Sequence, residues 1–367
     1  MKSKEVVQME INPIIYEDIQ AVLSEKMEWS SLKGKTILIT GANGFISTYV
    51  IYTLLRLNMT NFQSAPMTIF ALVRNREKAN KKFSQFIQKG HLRIIVSDVS
   101  EPISLDEKID IIIHAASQAS PKYYGVDPVG TLKANTLGTA NMLDLARKVD
   151  VDRFIYLSTG SVYGVLDGNL CNIAESYTGN VDITDVRSCY GESKRMGENM
   201  CVCWAHQYGF HVNMLRLAHT YGPGIELDDG RVFSDFVKNI IHNEDISLNS
   251  DGRAKRCFLY ITDMITGLFA VLFNGKNGHA YNIAADTETE IRELAKILCG
   301  LYPEKKLSVK LNEATIPVGY IRSMSAGATL STEKLKKLGW RQKVPIEQGF
   351  RRMIESYCNL PSPPEGI

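Results

Sequence analysis

The stretch Lys35–Leu57 reads KTILITGANGFISTYVIYTLLRL, and it decides the fold. It begins with a run rich in isoleucine, leucine and threonine, which is the pattern of a buried strand. Glycines at 41 and 44 punctuate that run, and from Phe45 onward the apolar residues recur at helical spacing. Strand, tight turn and helix in that order open a βα unit. A glycine turn in this place lets a pyrophosphate approach the backbone, where the helix N-terminus offers N–H groups and the positive end of its dipole. Gly41, Asn43, Gly44, Phe45 and Ile46 are therefore candidate dinucleotide contacts. A third glycine at the following helix turn would serve close helix–strand packing; Ser47 stands there, small enough to do the same.

Outward from this unit the alternation continues. Buried-strand patterns recur at 67–73, 92–96, 109–114, 154–158 and 212–217, with helical patterns between them at 75–88, 129–148 and 191–208. Strands alternating with helices predict right-handed crossovers and a parallel sheet covered on both faces, an α/β fold of the doubly wound Rossmann type. Beyond about residue 223 the pattern loosens into the turn-rich GPGIELDDGR, helices near 231–242, 262–274 and 286–300, and short strands. The chain thus divides into a helical extension (1–33), a dinucleotide-binding domain (34–222, with part of 160–190 facing substrate), a smaller C-terminal region that is mainly a substrate-binding lobe (223–358), and a Pro-rich tail (359–367). In the extension Ile19, Val22, Leu23 and Met27 fall near one helix face, which predicts packing on the main domain or on a partner subunit.

Composition narrows the function classes. With 42 Lys and Arg against 40 Asp and Glu, the net charge of +2 gives no general pull toward nucleic acid or an anionic membrane, so any anion site must be local. The seven cysteines show neither CxxC pairs nor a disulfide framework, and Cys201 with Cys203 makes only CxC. Free thiols in a reducing compartment, and no structural zinc, are expected. No signal-peptide pattern and no apolar run of about 18 residues is present, so a soluble cytoplasmic protein is expected.

The strand ends carry the chemistry, because ligands of such sheets lie in the crevice beyond their carboxyl edges. After the second strand an acid would bond a ribose 2′-hydroxyl, whereas arginine accommodates a 2′-phosphate. Here Arg74 and Arg76 stand with no acid before Glu77, which favours NADP(H), with NAD the alternative. Asp98 and Val99 after the third strand are placed to meet the adenine end. Ala115, Ala116 and Ser117, after His114 at the end of the fourth, border the nicotinamide ribose and phosphates.

In RSCYGESKR (Arg187–Arg195), Tyr190 and Lys194 lie one helical turn apart. A free tyrosine, with a pKa near ~10, is a poor base at neutral pH, and an ammonium on the same helix face favours its phenolate. FIYLSTGSVYG (Phe154–Gly164) brings Ser158 and Thr159 to the sheet edge where the same crevice opens, and Thr159 is the chosen hydroxyl to serve both the phenol and a substrate oxygen.

Together TGANGFI, HAAS, TLKANTLGTANMLDLA, LSTGSVYG, YGESK and RLAHTYGP resemble the extended short-chain dehydrogenase/reductase family, in the branch acting on nucleotide-activated sugars, over roughly residues 34–350. HAASQASPKYYGVDPVGTLKANTLGTANML, RSCYGESKR and LDDGRVFSDF look most like UDP-glucuronate decarboxylases. The resemblance implies that Tyr190 is the acid/base, Lys194 its partner and a ribose ligand, and Thr159 the helper. It also implies that Asn135 supports the active-site helix, and that Arg231 and Arg256 grip the nucleotide diphosphate, a task suited to guanidinium groups. Relatives often dimerise through a four-helix bundle, for which the helices at 129–148 and 191–208 are the candidates. Two departures bear on the reaction. Gly160 and Ser161 stand where 4,6-dehydratases carry Asp-Glu and decarboxylases carry glutamate at the second place, and His219 replaces an asparagine beside the substrate. Without those carboxyls, dehydration loses its acid/base pair.

Intact hydride chemistry at one carbon, with the arginines at 74 and 76, leads to the expectation of an NADPH-dependent C4 ketoreductase. Its substrate would be a nucleotide-linked 4-keto-6-deoxy sugar destined for surface polysaccharide. An NAD-dependent C4 epimerase, then a decarboxylase-like enzyme, are the alternatives, and a nucleotide-binding protein without catalysis is the last. Ser161, His219, Arg231 and Arg256 are the expected substrate contacts, and no metal is expected.

Overall fold

The computed structural model describes residues 9–164, 172–311 and 329–358; Cys171, the tail 359–367 and the first eight residues of the extension lie outside them. Six strands follow the predicted alternation: β1 (Thr36–Thr40), β2 (Thr68–Val73), β3 (Arg93–Val96), β4 (Ile111–His114), β5 (Arg153–Thr159) and β6 (His211–Leu217). The chain then makes four short strands, β7 (His219–Tyr221), β8 (Ile246–Leu248), β9 (Lys255–Arg256) and β10 (Phe258–Tyr260), before returning as β11 (His279–Ile283). β11 lies beside β6, giving a seven-stranded sheet of order β11-β6-β5-β4-β1-β2-β3 in which every pairing is parallel. Residues 223–358, read from sequence mainly as a lobe, thus also complete the main sheet. Strand order reverses at β1, between β4 and β2, and opens the ligand crevice there.

Both sheet faces are buried. Ile37 and Ile39 of β1 join one apolar cluster, while Leu38 between them joins the other, as the two-residue period of a strand requires. The covering helices are α1 (Pro13–Leu23), α2 (Phe45–Thr60), α3 (Arg76–Gln88), α4 (Pro121–Tyr124), α5 (Pro128–Asn135), α6 (Leu137–Lys148), α7 (Cys189–Tyr208), α8 (Val232–His242), α9 (Ile261–Asn274), α10 (Ile291–Leu301), α11 (Glu333–Lys336) and α12 (Ile346–Cys358). Two predicted helices differ. Residues 129–148 form two helices because the Thr136 hydroxyl donates to the Leu132 carbonyl at 2.7 Å, a local bond that bends helices. The helix expected over 286–300 begins at Ile291, because β12 (Thr289–Glu290) pairs antiparallel with β9. A last short strand, β13 (Val309–Leu311), pairs with β8.

The N-terminal extension packs on the main body, against α2, α9 and α12. Asn12 caps α1 by accepting the N–H of Ile14 at 3.0 Å, and Pro13 fits the first helical position. The helix buries Ile14, Ile19 and Val22, and also an acid, Asp18. The Asp18 carboxylate accepts hydrogen bonds from Tyr49 of α2 at 3.0 Å, Tyr260 of β10 at 2.8 Å and Arg352 of α12 at 2.8 and 3.0 Å. One buried charge therefore clamps four elements together.

Candidate active site

At the crevice the glycine turn is held from three sides. Gly41 adopts φ +61°, and a Cβ there would lie 2.8 Å from the Ala116 Cα, so the turn rests on the backbone after β4. Thr40 accepts the N–H groups of Ala115 at 3.1 Å and Ala116 at 3.0 Å, which leaves its own proton for His114 Nδ1 at 2.8 Å. His114 Nε2–H then donates to Thr139 at 3.2 Å. Burial, and next the charge of Lys194, push this imidazole down to about 3, so it is a neutral structural residue. Ser47 is buried with its hydroxyl directed at the Thr40 carbonyl, 3.4 Å away, filling the close-packing place. Lys82 of α3 donates to the Asn43 carbonyl at 2.9 Å, and Asn43 in turn donates to the Asn75 carbonyl at 2.9 Å. Burial, then Lys78, lower Lys82 to about 8.

Among the described residues, Asn43 Oδ1 and Ser117 Oγ are buried without a hydrogen-bond partner. Orphaned polar atoms beside a turn that admits no side chain fit a dinucleotide laid across Gly41–Ile46. Phe45 and Ile46 open α2, so their N–H groups face the same space. Arg74 forms an ion pair with Asp98 at 3.8 Å, both exposed, and Arg76 opens α3 behind its cap Asn75. Val99 is buried, and the Cβ of a residue at 138 would meet its side chain at 2.8 Å. Its side chain therefore belongs to the packing of α6, leaving only its backbone for the crevice.

The catalytic candidates meet at the end of β5. Tyr190 lies in the first turn of α7, with the Thr159 hydroxyl as its hydrogen-bond partner. Burial raises the phenol above its usual range, while Thr159 and then the Arg231 charge oppose the rise. Thr159 also donates to Ser161 Oγ at 3.3 Å and accepts the Ser161 N–H at 3.2 Å. Lys194 lies one turn further along α7. Its ammonium donates to the Leu157 carbonyl at 2.7 Å and lies 4.6 Å from the Tyr156 ring centroid. Burial lowers it to about 7, against the opposing charges of Cys201 and Glu198. Asn135 Nδ2 donates to Ser193 Oγ at 3.0 Å, and that hydroxyl donates to the Cys189 carbonyl at 2.6 Å. Asn135 thereby steadies the start of α7.

Among the substrate-side candidates, Arg231 links the phenol to His219. Arg231 acts electrostatically on Tyr190, on Tyr124 and on His219, and pairs with Asp229 at 3.4 Å. Arg256 acts on His219 as well; burial first, then these two arginines, push the imidazole down to about 3. His219 is open to solvent on its cleft side although protein surrounds the rest, and its ring lies 6.0 Å from Phe258 across the β7–β10 pair. It is a neutral hydrogen-bonding group at physiological pH.

One residue of this cleft gave no sequence signal that was taken up. Tyr124 of α4 stacks on Tyr190 with ring centroids 4.9 Å apart and planes 15° from parallel, anchored through its hydroxyl to the Ala119 carbonyl at 2.9 Å. The aromatic pair in SPKYY, just past a strand end, was the available signal. Among the described residues no group of three or more His, Cys, Asp or Glu is placed to hold a metal ion, and no helix is long and apolar enough to cross a membrane.

A parallel sheet with a glycine turn at its switch point, and a Tyr–Lys helix crossing its carboxyl edge, defines a class of dinucleotide-dependent enzymes. The profile of the NAD dependent epimerase/dehydratase family matches residues 37–284, and the chain belongs to that family. It is 34% identical over 321 residues to UDP-glucuronic acid decarboxylase 5 of Arabidopsis thaliana, covering 88% of this chain and 89% of the relative. It is 32% identical to UDP-glucuronic acid decarboxylase 1 of Xenopus tropicalis, covering 88% and 72%. Among solved structures, UDP-glucuronic acid 4-epimerase from Bacillus cereus, in complex with UDP-glucuronic acid and NAD, superposes with a TM-score of 0.72 at 21% identity, covering 88% and 98%. The family is one of nucleotide-sugar epimerases, dehydratases and decarboxylases.

Proposed function

We propose that this enzyme reduces the C4 keto group of a nucleotide-linked 4-keto-6-deoxy sugar, such as dTDP-4-keto-6-deoxyglucose, with NADPH, for surface polysaccharide synthesis. The observation that carries the reading is the set of groups around Tyr190. The Thr159 hydroxyl bonds the phenol and Ser161 bonds Thr159, Arg231 acts on both Tyr190 and His219, and three carboxylates among the described residues are committed elsewhere. Asp229 pairs with Arg231, Glu192 with Arg195 and Glu198 with Arg216. Proton donation to one oxygen is available; among the described residues these carboxylates are not free to form the additional acid/base pair that dehydration needs.

A nicotinamide held here would supply hydride to C4 in its reduced form and, in the reverse direction, would accept hydride from C4 in its oxidised form. Tyr190, held protonated by burial, donates its proton to the C4 oxygen as that oxygen gains charge. Thr159 receives a hydrogen bond from, or returns one to, the same phenol and aligns it. Lys194 holds the dinucleotide ribose, and Gly41–Ile46, Ala115–Ser117 and Asn135 complete its cradle. Arg74 and Arg76 supply the guanidinium pair for a 2′-phosphate, and Asp98 hands Arg74 over when that group arrives. Arg231 and Arg256 bind the diphosphate, with His219 and Ser161 as neutral contacts to the sugar.

A second reading keeps NAD in the site and returns it unchanged at each turnover, as in C4 epimerisation or decarboxylation. The 34% identity with a UDP-glucuronic acid decarboxylase favours it; Ser161, in the place of a carboxyl, weighs against its decarboxylase form. Mixing the protein with NADPH and dTDP-4-keto-6-deoxyglucose separates the two. One NADPH consumed per sugar reduced supports the ketoreductase, and turnover of UDP-glucuronate without net NADPH loss supports the alternative. A homodimer through α5–α7 is part of the proposal, supported by exposed Val129, Leu132, Leu137 and Met196 on those helices. Sedimentation at micromolar concentration tests it.

A further inference from the structure

Helix α7 carries a third residue in line with the catalytic pair. Tyr190, Lys194 and Glu198 are spaced one turn apart, and each meets the last residues of β5. Tyr190 meets Thr159, Lys194 meets the Leu157 carbonyl, and Glu198 accepts the Ser158 hydroxyl at 2.5 Å. Glu198 is buried, where a carboxylate persists only if its lone pairs are filled. Arg216 of β6 fills them from the other side, at 3.0 and 3.2 Å through Nε and 2.7 Å through Nη2. Arg216 continues outward to the Tyr163 hydroxyl at 3.0 Å and the Glu175 carbonyl at 2.9 Å. Tyr163 in turn donates to Asn282 of β11 at 2.6 Å.

Close packing leaves this arrangement little slack. A Cβ on Gly197 would lie 2.2 Å from the Tyr156 hydroxyl, so the α7 backbone rests directly on the Tyr156 side chain of β5. No carboxylate makes an ion pair with Lys194 among the described residues. Cys201 and then Glu198, both further along the helix, favour its ammonium form against the effect of burial.

We propose that Glu198 is a positioning residue for catalysis: by gripping Ser158 and Arg216 it sets where Thr159 and Lys194 meet the dinucleotide and the reacting oxygen. The inference rests on the reading of Tyr190 and Lys194 as the catalytic pair. Its role is electrostatic as well as geometric, because the Glu198 charge also acts on Lys194, one helical turn away.

Two variants test it. Glu198→Gln keeps the volume and an acceptor for Ser158 but removes the charge. Ser158→Ala cuts the link to β5 and leaves the Glu198–Arg216 pair intact. NADPH binding is followed by its fluorescence across the pH range in which Lys194 loses its proton, alongside kcat, KM and thermal melting. In Glu198→Gln the pH midpoint for loss of NADPH affinity is expected to move down by about one unit. In Ser158→Ala the midpoint is expected to stay, while kcat falls about tenfold, with KM changed less than about twofold, as for a displaced catalytic group. A folded Glu198→Gln protein with an unmoved midpoint overturns the electrostatic role. Should that variant fail to fold, Ser158→Ala decides: parental kcat at parental melting temperature overturns the proposal. Failure of the underlying functional reading looks different, since the unaltered protein would then bind no NADPH or NADH at any pH.

Discussion

Replacing Asp18 by alanine tests whether the N-terminal extension is an integral part of the enzyme. Asp18 is 2% exposed and Arg352 half-buried, so the substitution strands a guanidinium and the buried Tyr49 hydroxyl. Breaking a buried ion pair from one side costs about 3–5 kcal/mol. Because Arg352 retains some access to water and to Glu17 at 3.1 Å, the lower end applies, about 3 kcal/mol. The Tyr260 hydroxyl keeps its bond from Arg352 at 3.2 Å, and the unpaired Tyr49 hydroxyl adds about 1 kcal/mol. At the usual unfolding entropy per residue, a loss of about 4 kcal/mol in a chain of this length lowers the melting temperature by about 5 °C. Glu17→Ala removes only the exposed partner of Arg352 and should shift melting by less than about 1 °C, as surface pairs do. Thermal unfolding followed by circular dichroism reads both. If Asp18→Ala melts within about 1 °C of the parent, the clamp does not hold the extension and the energetic reasoning fails.

Arg74→Ala and Arg76→Ala should each raise KM for NADPH about tenfold, the effect of one lost charge-assisted bond, and leave KM for NADH unchanged in a spectrophotometric assay. Equal effects on both cofactors would remove the 2′-phosphate assignment. Tyr124→Ala should lower kcat about three- to tenfold by freeing the Tyr190 ring, with Tyr124→Phe close to parental because the stack survives; a loss confined to KM would make Tyr124 a binding residue instead. Asp263, buried in α9 and raised from 3.8 to about 6, chiefly by burial, binds more protons folded than unfolded between those values. Its ionisation therefore costs stability as pH rises from about 4 to about 6, up to about 3 kcal/mol in all. Asp263→Asn should flatten the melting profile in that window, and a parental slope would refute the assignment.

How far the sequence reached depended on the range of the interactions. The first six sheet strands were legible because each is a short apolar run stopped by glycine or polar residues, as in KTILITG. The carboxyl edge was equally legible, since Gly41, Ala115, Thr159 and His219 all follow strand ends. β11 was not, because it joins β6 only after more than sixty intervening residues, and its short run HAYNI does not announce a central sheet partner. The burial of Asp18 carries no local signal, because its partners lie 31, 242 and 334 residues away. Spacing correctly put Tyr190 and Lys194 on one helix. It could not show that burial turns the ammonium toward the Leu157 carbonyl. The stack of Tyr124 on Tyr190 depends on where a four-residue helix docks, which no local pattern encodes.

The central claim is that hydride passes between nicotinamide and sugar C4 while Tyr190 handles the proton. Turnover of dTDP-4-keto-6-deoxyglucose with NADPH deuterated at the transferring position, followed by magnetic resonance of the product, tests it most directly. Deuterium at C4 alone, in one stereochemical configuration and with equimolar NADP formed, is the predicted result. A product without deuterium, or with deuterium at another carbon, would contradict it.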